Sequence, residues 1–285
     1  MFRDLSLCVC TAGIGLLGLA TAASAIPVAW RGRWLALGGI LGLAQVACFL
    51  PSDRAVASAI LTGPGPAVFA VAVAGLVGSV ALCGVGAILV AGGQPGECGL
   101  GGKGVGRQAI VGALLGGGIA LVVSAAFGRL TMPGPVAQWW GLWLWVCWST
   151  VGPAWQEEVV FRAVGLPALT RVLRSPELGN LVQACLFGAL HLLPLTAYGF
   201  YPPLPGWWAK RAAGAFCLGW VFGYLRQRLD GIWAPYAAHA TYNMVCYALR
   251  FGALMARNPG ATLGSHLHYD SAEVPRDLQR WCRLG

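Results

Sequence analysis

The stretch Trp155-Gln156-Glu157-Glu158-Val159-Val160-Phe161-Arg162 is where this 285-residue chain changes character. Before it the acids are Asp4, Asp53 and Glu97 alone. Here two carboxylates and an arginine fall within one apolar run. On a helix Glu158 and Arg162 lie four residues apart and share a face, so they can pair. Glu157 sits about 100° further round the helix, with no local cation left for it. A carboxylate without a cation in an apolar setting is a candidate general base.

The surroundings of this stretch decide the fold class. The chain is 57% hydrophobic and 10% charged, where a soluble domain carries about 25% charged residues. A water-facing surface needs more charge than this, which excludes an ordinary soluble enzyme. A disordered chain would be poor in apolar residues. The composition implies an all-α, polytopic transmembrane helical bundle, since about 20 apolar residues cross the hydrocarbon core as a helix. Candidate spans are 5–30, 34–52, 67–92, 108–128, 136–155, 178–200, 212–225 and 231–249, about eight in all. A cleaved signal peptide is the rival reading of the first, with Arg3 ahead of the apolar run and Ala23-Ser24-Ala25 as the cleavage signature. The apolar run continues past that site to Trp30. Five tryptophans between Trp139 and Trp148, followed by Trp155, suggest a membrane-interface belt.

Three regions follow: motif-free N-terminal transmembrane helices over 1–135, a catalytic membrane core over 136–250, and a polar tail over 251–285. The net charge of +9 forms no basic stripe. Topology signals and anionic lipid headgroups account for it, and no nucleic-acid partner is expected. Basic residues divide almost evenly between the two sides of an eight-span arrangement, so the positive-inside rule leaves orientation open. Arginine far outnumbers lysine, as GC-rich coding produces, which points to a bacterial inner membrane. The ten cysteines include no CxxC pair and read as small hydrophobes. Gly99–Gly106 has a lysine followed by glycine rather than Ser or Thr, so it is not a phosphate loop; it reads as a flexible loop. The Gly112-xxx-Gly116 and Gly219-xxx-Gly223 pairs predict close helix contacts.

Polar groups recur inside later spans. His191 follows Phe187 by one turn, and Asn243 follows His239 by one turn. Facing lipid, each set would be costly, so they are expected to turn inward to one cavity. A carboxylate base and an imidazole can activate water, and a second imidazole with an amide can stabilise an oxyanion. No Ser or Cys nucleophile is then needed; Cys185, six residues before His191, points to another face. Zinc is the main chemical rival, since two His and one Glu form a known catalytic set. The HExxH spacing is absent, and no metal or other cofactor is expected.

The segments EEVVFR (157–162), FGALH (187–191) and HATYN (239–243) resemble the EExxxR, FxxxH and HxxxN motifs of the CPBP intramembrane proteases. That family includes type II CAAX prenyl endopeptidases and bacterial proteins tied to bacteriocin processing and immunity. The run from Phe216 through Gly231-Ile232-Trp233-Ala234-Pro235 resembles the approach to its last motif. The resemblance implies that Glu157 activates water with His191, that Glu158 and Arg162 hold the first motif, that His239 and Asn243 form the oxyanion site, and that Phe187 packs beside the cavity. The implied activity is endoproteolysis of a peptide or membrane-anchored protein near a bilayer face. The alternatives are a catalytically idle interaction or immunity protein and a proton-coupled transporter. A transporter would show polar residues and inverted repeats in both halves.

Overall fold

The computed structural model describes residues 66–90, 96, 98–101, 104–126, 152–191 and 205–257. Every regular element among them is helical: α1 (Pro66–Val90), α2 (Val105–Ala126), α3 (152–173), α4 (Pro176–Leu190), α5 (Pro205–Leu229) and α6 (Trp233–Arg257). The candidate spans at 5–30 and 34–52, nearly all of 136–155, and the C-terminal part of the tail lie outside the described residues. The expectation of an all-helical chain holds among the described residues.

The eight-span count does not follow from the described helices. Among the described residues α2 alone is both long and apolar enough to cross a membrane. Its 22 residues span about 33 Å at 1.5 Å per residue. It buries Gln108, Gly112, Gly116, Ala120 and Ser124, and exposes Ile110, Leu114 and Val122. Small residues inward and large apolar residues outward is the arrangement of a helix whose solvent is lipid.

Helix α2 lies against α6, its most extensive contact. A Cβ on Gly112 would collide with the Ala234 carbonyl, and one on Gly116 with the Ala238 carbonyl. The first small-xxx-small pair therefore does what its spacing predicts, and so does the second. Gly219 and Gly223 on α5 admit Phe187, Ala184, Asn180 and Gln183 of α4.

Several boundaries differ from the sequence reading. The span expected at 178–200 is a 15-residue helix ending at Leu190, with His191 as its C-cap. At about 22 Å it is shorter than a hydrocarbon core of about 30 Å. Ser175 caps its start, accepting from Leu178 N–H at 3.2 Å, which places the helix N-terminus next to the end of α3. Helix α5 begins at Pro205, inside the expected Pro-rich connection. A proline in a first turn lacks only an N–H that has no helical partner there. Helix α6 runs on to Arg257, past the expected end at 249.

Helix α3 carries the EEVVFR segment, as the Glu158–Arg162 spacing implies, and runs past the expected span end at 155 to Leu173. Its middle, Val159–Gly165, is a π-helical turn in which Leu166 N–H donates to Phe161 O, five residues back. Pro167 supplies the cause: its ring crowds the carbonyl four residues earlier and removes a donor, and widening the preceding turn relieves both.

The core under α3 is formed by Cys83, Ala87, Cys98, Trp155, Val159, Ala163, Val164 and Ile232. Trp155 is 4% exposed, donates to Val80 O at 2.9 Å and meets Tyr236 edge-on. It is a core residue, which corrects its reading as part of an interface belt. The Gly99 region is also not the flexible loop expected. Cys98 is buried, Gly99 O accepts from Ile232 N–H at 3.1 Å, and Leu100 O accepts from Trp233 Nε1 at 3.2 Å. Gly99 has φ +73°, and its missing Cβ leaves room for the Arg226 guanidinium. This short segment thereby holds the turn that delivers the start of α6.

Candidate active site

Helices α3, α4 and α6 each bring one motif to a common point, with α5 as the wall behind them. Glu158 and Arg162 are both fully buried. Arg162 Nη1 donates to Glu158 Oε1 at 2.8 Å, the pairing that their spacing predicts. The same Oε1 also receives His239 Nδ1 at 2.8 Å, across 81 residues. A carboxylate paired to arginine can only accept, so His239 carries its proton on Nδ1. Its Nε2 is thereby turned towards Glu157, at 3.8 Å from Oε2. That separation is too long for a direct hydrogen bond and suits a bridging water.

Glu157 differs from its neighbour in the way the helix position implies. Its side chain is 30% exposed, it makes no ion pair with Arg162, and its Oε2 has no hydrogen-bond partner among the described residues. His191 closes α4. Its Nδ1 lies 2.8 Å from Phe187 O, and a carbonyl only accepts, so here too the proton is on Nδ1 and Nε2 is available. The ring of Phe187, which meets both histidines, ties His191 to the same cluster as His239.

Phe187 is the hub of the packing. Its ring meets His191 at 4.6 Å, Phe161 at 5.1 Å and His239 at 6.0 Å between centroids. The Arg162 guanidinium carbon lies 4.4 Å from the centre of its ring, a cation–π contact in a desolvated setting. Phe222 of α5 stacks on His239 at 5.2 Å. The sequence reading placed Phe187 beside the cavity; here it also forms one face of the arginine's enclosure.

Six of the seven anticipated residues therefore converge: Glu157, Glu158, Arg162, Phe187, His191 and His239. Asn243 is half-buried one turn beyond His239 on α6, and among the described residues no hydrogen bond joins it to the cluster. Cys185 is exposed, away from the site. Among the described residues no group of three His, Cys, Asp or Glu side chains is gathered to hold a metal ion.

Sequence reasoning missed Asn180, Gln183 and Phe222. Gln183 is fully buried; its Nε2 donates to Gly219 O and to Asn180 Oδ1, both at 2.8 Å. Two amides one and two turns ahead of Phe187 on an otherwise apolar helix were the available signal.

No curated protein and no solved structure matches the chain. Residues 138–245 match a family model described as type II CAAX prenyl endopeptidase Rce1-like. The matched segment takes in all three motifs, from Glu157 on α3 to Asn243 on α6, and over these residues the chain is similar to the type II CAAX prenyl endopeptidase Rce1-like family.

Proposed function

We propose that the protein is an intramembrane endopeptidase that hydrolyses a peptide bond near the bilayer surface with a glutamate-activated water. One observation carries this reading: of two adjacent glutamates, Glu158 is fully buried and bonded to both Arg162 and His239, while Glu157 is partly open and meets only His239 Nε2, at 3.8 Å. The first glutamate is thus free to react and the second is committed to structure.

In this mechanism Glu157 takes a proton from water as the water oxygen attacks the scissile carbonyl carbon. The imidazole of His191 would accept the water's other hydrogen at Nε2 and hold it in place. Asn243 would donate its amide N–H to the oxygen on which negative charge develops, and His239 would join it as a donor only with Nε2 protonated as well as Nδ1. Collapse of the tetrahedral intermediate breaks the C–N bond, and the proton held by Glu157 passes to the departing amine. Water, acid product and amine product balance with no covalent enzyme intermediate and no cofactor.

The substrate is a peptide or membrane-anchored protein, and the family description favours a prenylated C-terminus. The proposed setting is a bacterial inner membrane. The test compares membrane fractions from cells expressing wild type or Glu157→Ala, with new peptide termini mapped by mass spectrometry. Termini that arise only with wild type support the proposal and reveal the cleavage sequence. Identical termini, with both proteins folded, overturn it in favour of a catalytically idle interaction protein or a transporter.

A further inference from the structure

Gln183 lies outside all three motifs, yet it reaches the site through one carbonyl. Gly219 O on α5 accepts from Gln183 Nε2 at 2.8 Å and from Arg162 Nη2 at 3.2 Å. Arg162 turns its other terminal nitrogen to Glu158, and Glu158 receives His239 Nδ1. A continuous line of contacts thus runs from an amide on α4, over α5 and α3, to the imidazole on α6. The amide itself is held from its other side, because Asn180 Oδ1 accepts from it at 2.8 Å and Asn180 Nδ2 donates to Trp220 O at 3.1 Å. Gly223 is the space into which both amides fit, since a Cβ there would collide with them.

We propose that Gln183 is a positioning residue for His239, acting by fixing the Gly219 carbonyl that orients Arg162 and, through it, Glu158. The chain of contacts explains why a fully buried amide sits, beside Asn180, on a face otherwise formed by Gly179, Ala184, Phe187 and Gly188. A bond needed only to tie α4 to α5 could lie at the rim, as Gln227 Nε2 to Pro176 O does at 2.7 Å. Gln183 instead spends its donor at the carbonyl that the site arginine uses. Hydrogen-bond networks of this kind transmit orientation because each bond is strengthened in a low-dielectric interior. The role deepens the proteolytic reading and rests on it for its kinetic consequence alone.

The experiment compares wild type, Gln183→Met, Arg162→Lys and Gln227→Ala in the full-length protein in nanodiscs. Methionine keeps length and volume but removes the donor. The kinetic probe is a quenched fluorogenic peptide with a farnesylated CAAX C-terminus. The second readout is the ¹⁵N–¹H spectrum of histidine-labelled protein, with His239 assigned by the loss of its signals in His239→Gln. Gln183→Met is expected to lower kcat by roughly tenfold to a hundredfold at unchanged KM, the scale of a small misplacement at a reacting group. It is also expected to displace the His239 Nδ1–H signal. Gln227→Ala, which removes only the rim bond, is expected to change neither. A folded Gln183→Met with an unmoved His239 signal, or with wild-type kcat, overturns the proposal. If Gln183→Met does not fold, Arg162→Lys, which keeps the cation while removing its reach to Gly219 O, must displace the same signal or the proposal fails. If wild type does not cleave the peptide, prenyl-peptide proteolysis fails as the activity, and the His239 signal alone decides the positioning role.

Discussion

Replacing each of two adjacent glutamates by glutamine separates chemistry from structure at this site. Glu158 is fully buried and accepts from both Arg162 and His239 at 2.8 Å. Glu158→Gln removes the charge that compensates a fully buried guanidinium. Breaking a buried ion pair by removing one partner costs about 3–5 kcal/mol, a large share of the roughly 5–15 kcal/mol that stabilises a domain. Glu157 holds no ion pair with Arg162 and is 30% exposed, so Glu157→Gln is expected to change stability by less than about 1 kcal/mol. Its effect falls on catalysis, where a general base contributes about 10²–10⁴-fold. The assay is SDS-titrated unfolding in mixed micelles, followed by tryptophan fluorescence, alongside cleavage per folded molecule. Trp155, buried on α3 two residues before Glu157, supplies a reporter near the motif. The double variant Glu158→Gln/Arg162→Met serves as an internal check, because removing both charges should recover about 1–3 kcal/mol relative to additivity. Equal stability losses for the two single variants, or a Glu158→Gln protein as stable and active as wild type, would refute the division of labour between the two carboxylates.

Further outcomes follow from the same geometry. Gly116→Val should separate α2 from α6 by driving a side chain into the Ala238 carbonyl, lowering stability by about 1–3 kcal/mol as overpacking does, whereas Gly118→Ala, which meets nothing within 4 Å, should be neutral; thermal unfolding in detergent distinguishes them. Phe187→Ala should cost about 3–5 kcal/mol because the ring is fully buried beneath Arg162, while Phe187→Leu should retain more of the folded yield on size-exclusion chromatography and still lose activity. Gly99→Ala should be destabilising by more than about 1 kcal/mol through its positive φ and its collision with Arg226, measured as a drop in Tm. Incubation with a zinc chelator should leave cleavage unchanged, since the proposed water is activated by Glu157; loss of activity restored by zinc would overturn the metal-free mechanism.

The three motifs and their order were legible in the sequence because each is local. A helical repeat determines which side chains share a face, so the Glu158–Arg162 pair and the separateness of Glu157 could be read from spacing. The cost of burying polar groups in an apolar medium then implied that His191 and His239 turn inward. The small-xxx-small pairs were legible for a similar reason, as a gap on a helix face needs only the periodicity to locate it. The long helix α3, the short helix α4 and the burial of Trp155 were not legible in this way. The length of α3 depends on what packs against it beyond the motif, and Trp155 resembles an interface residue until Val80 O is found to accept its N–H.

What the sequence by itself determined was therefore the chemistry available and its local geometry: an apolar, helical chain carrying a free carboxylate, a pairable one, two imidazoles and an amide at helical spacings. Tertiary structure decided which groups act on one another. His239 and Glu158 lie 81 residues apart, and no periodicity relates residues on different helices. Only the close approach of α3, α4, α5 and α6 assigns the histidine's proton to Nδ1, turns Nε2 towards Glu157, and brings the Gln183 amide and the Arg162 guanidinium to one carbonyl of α5.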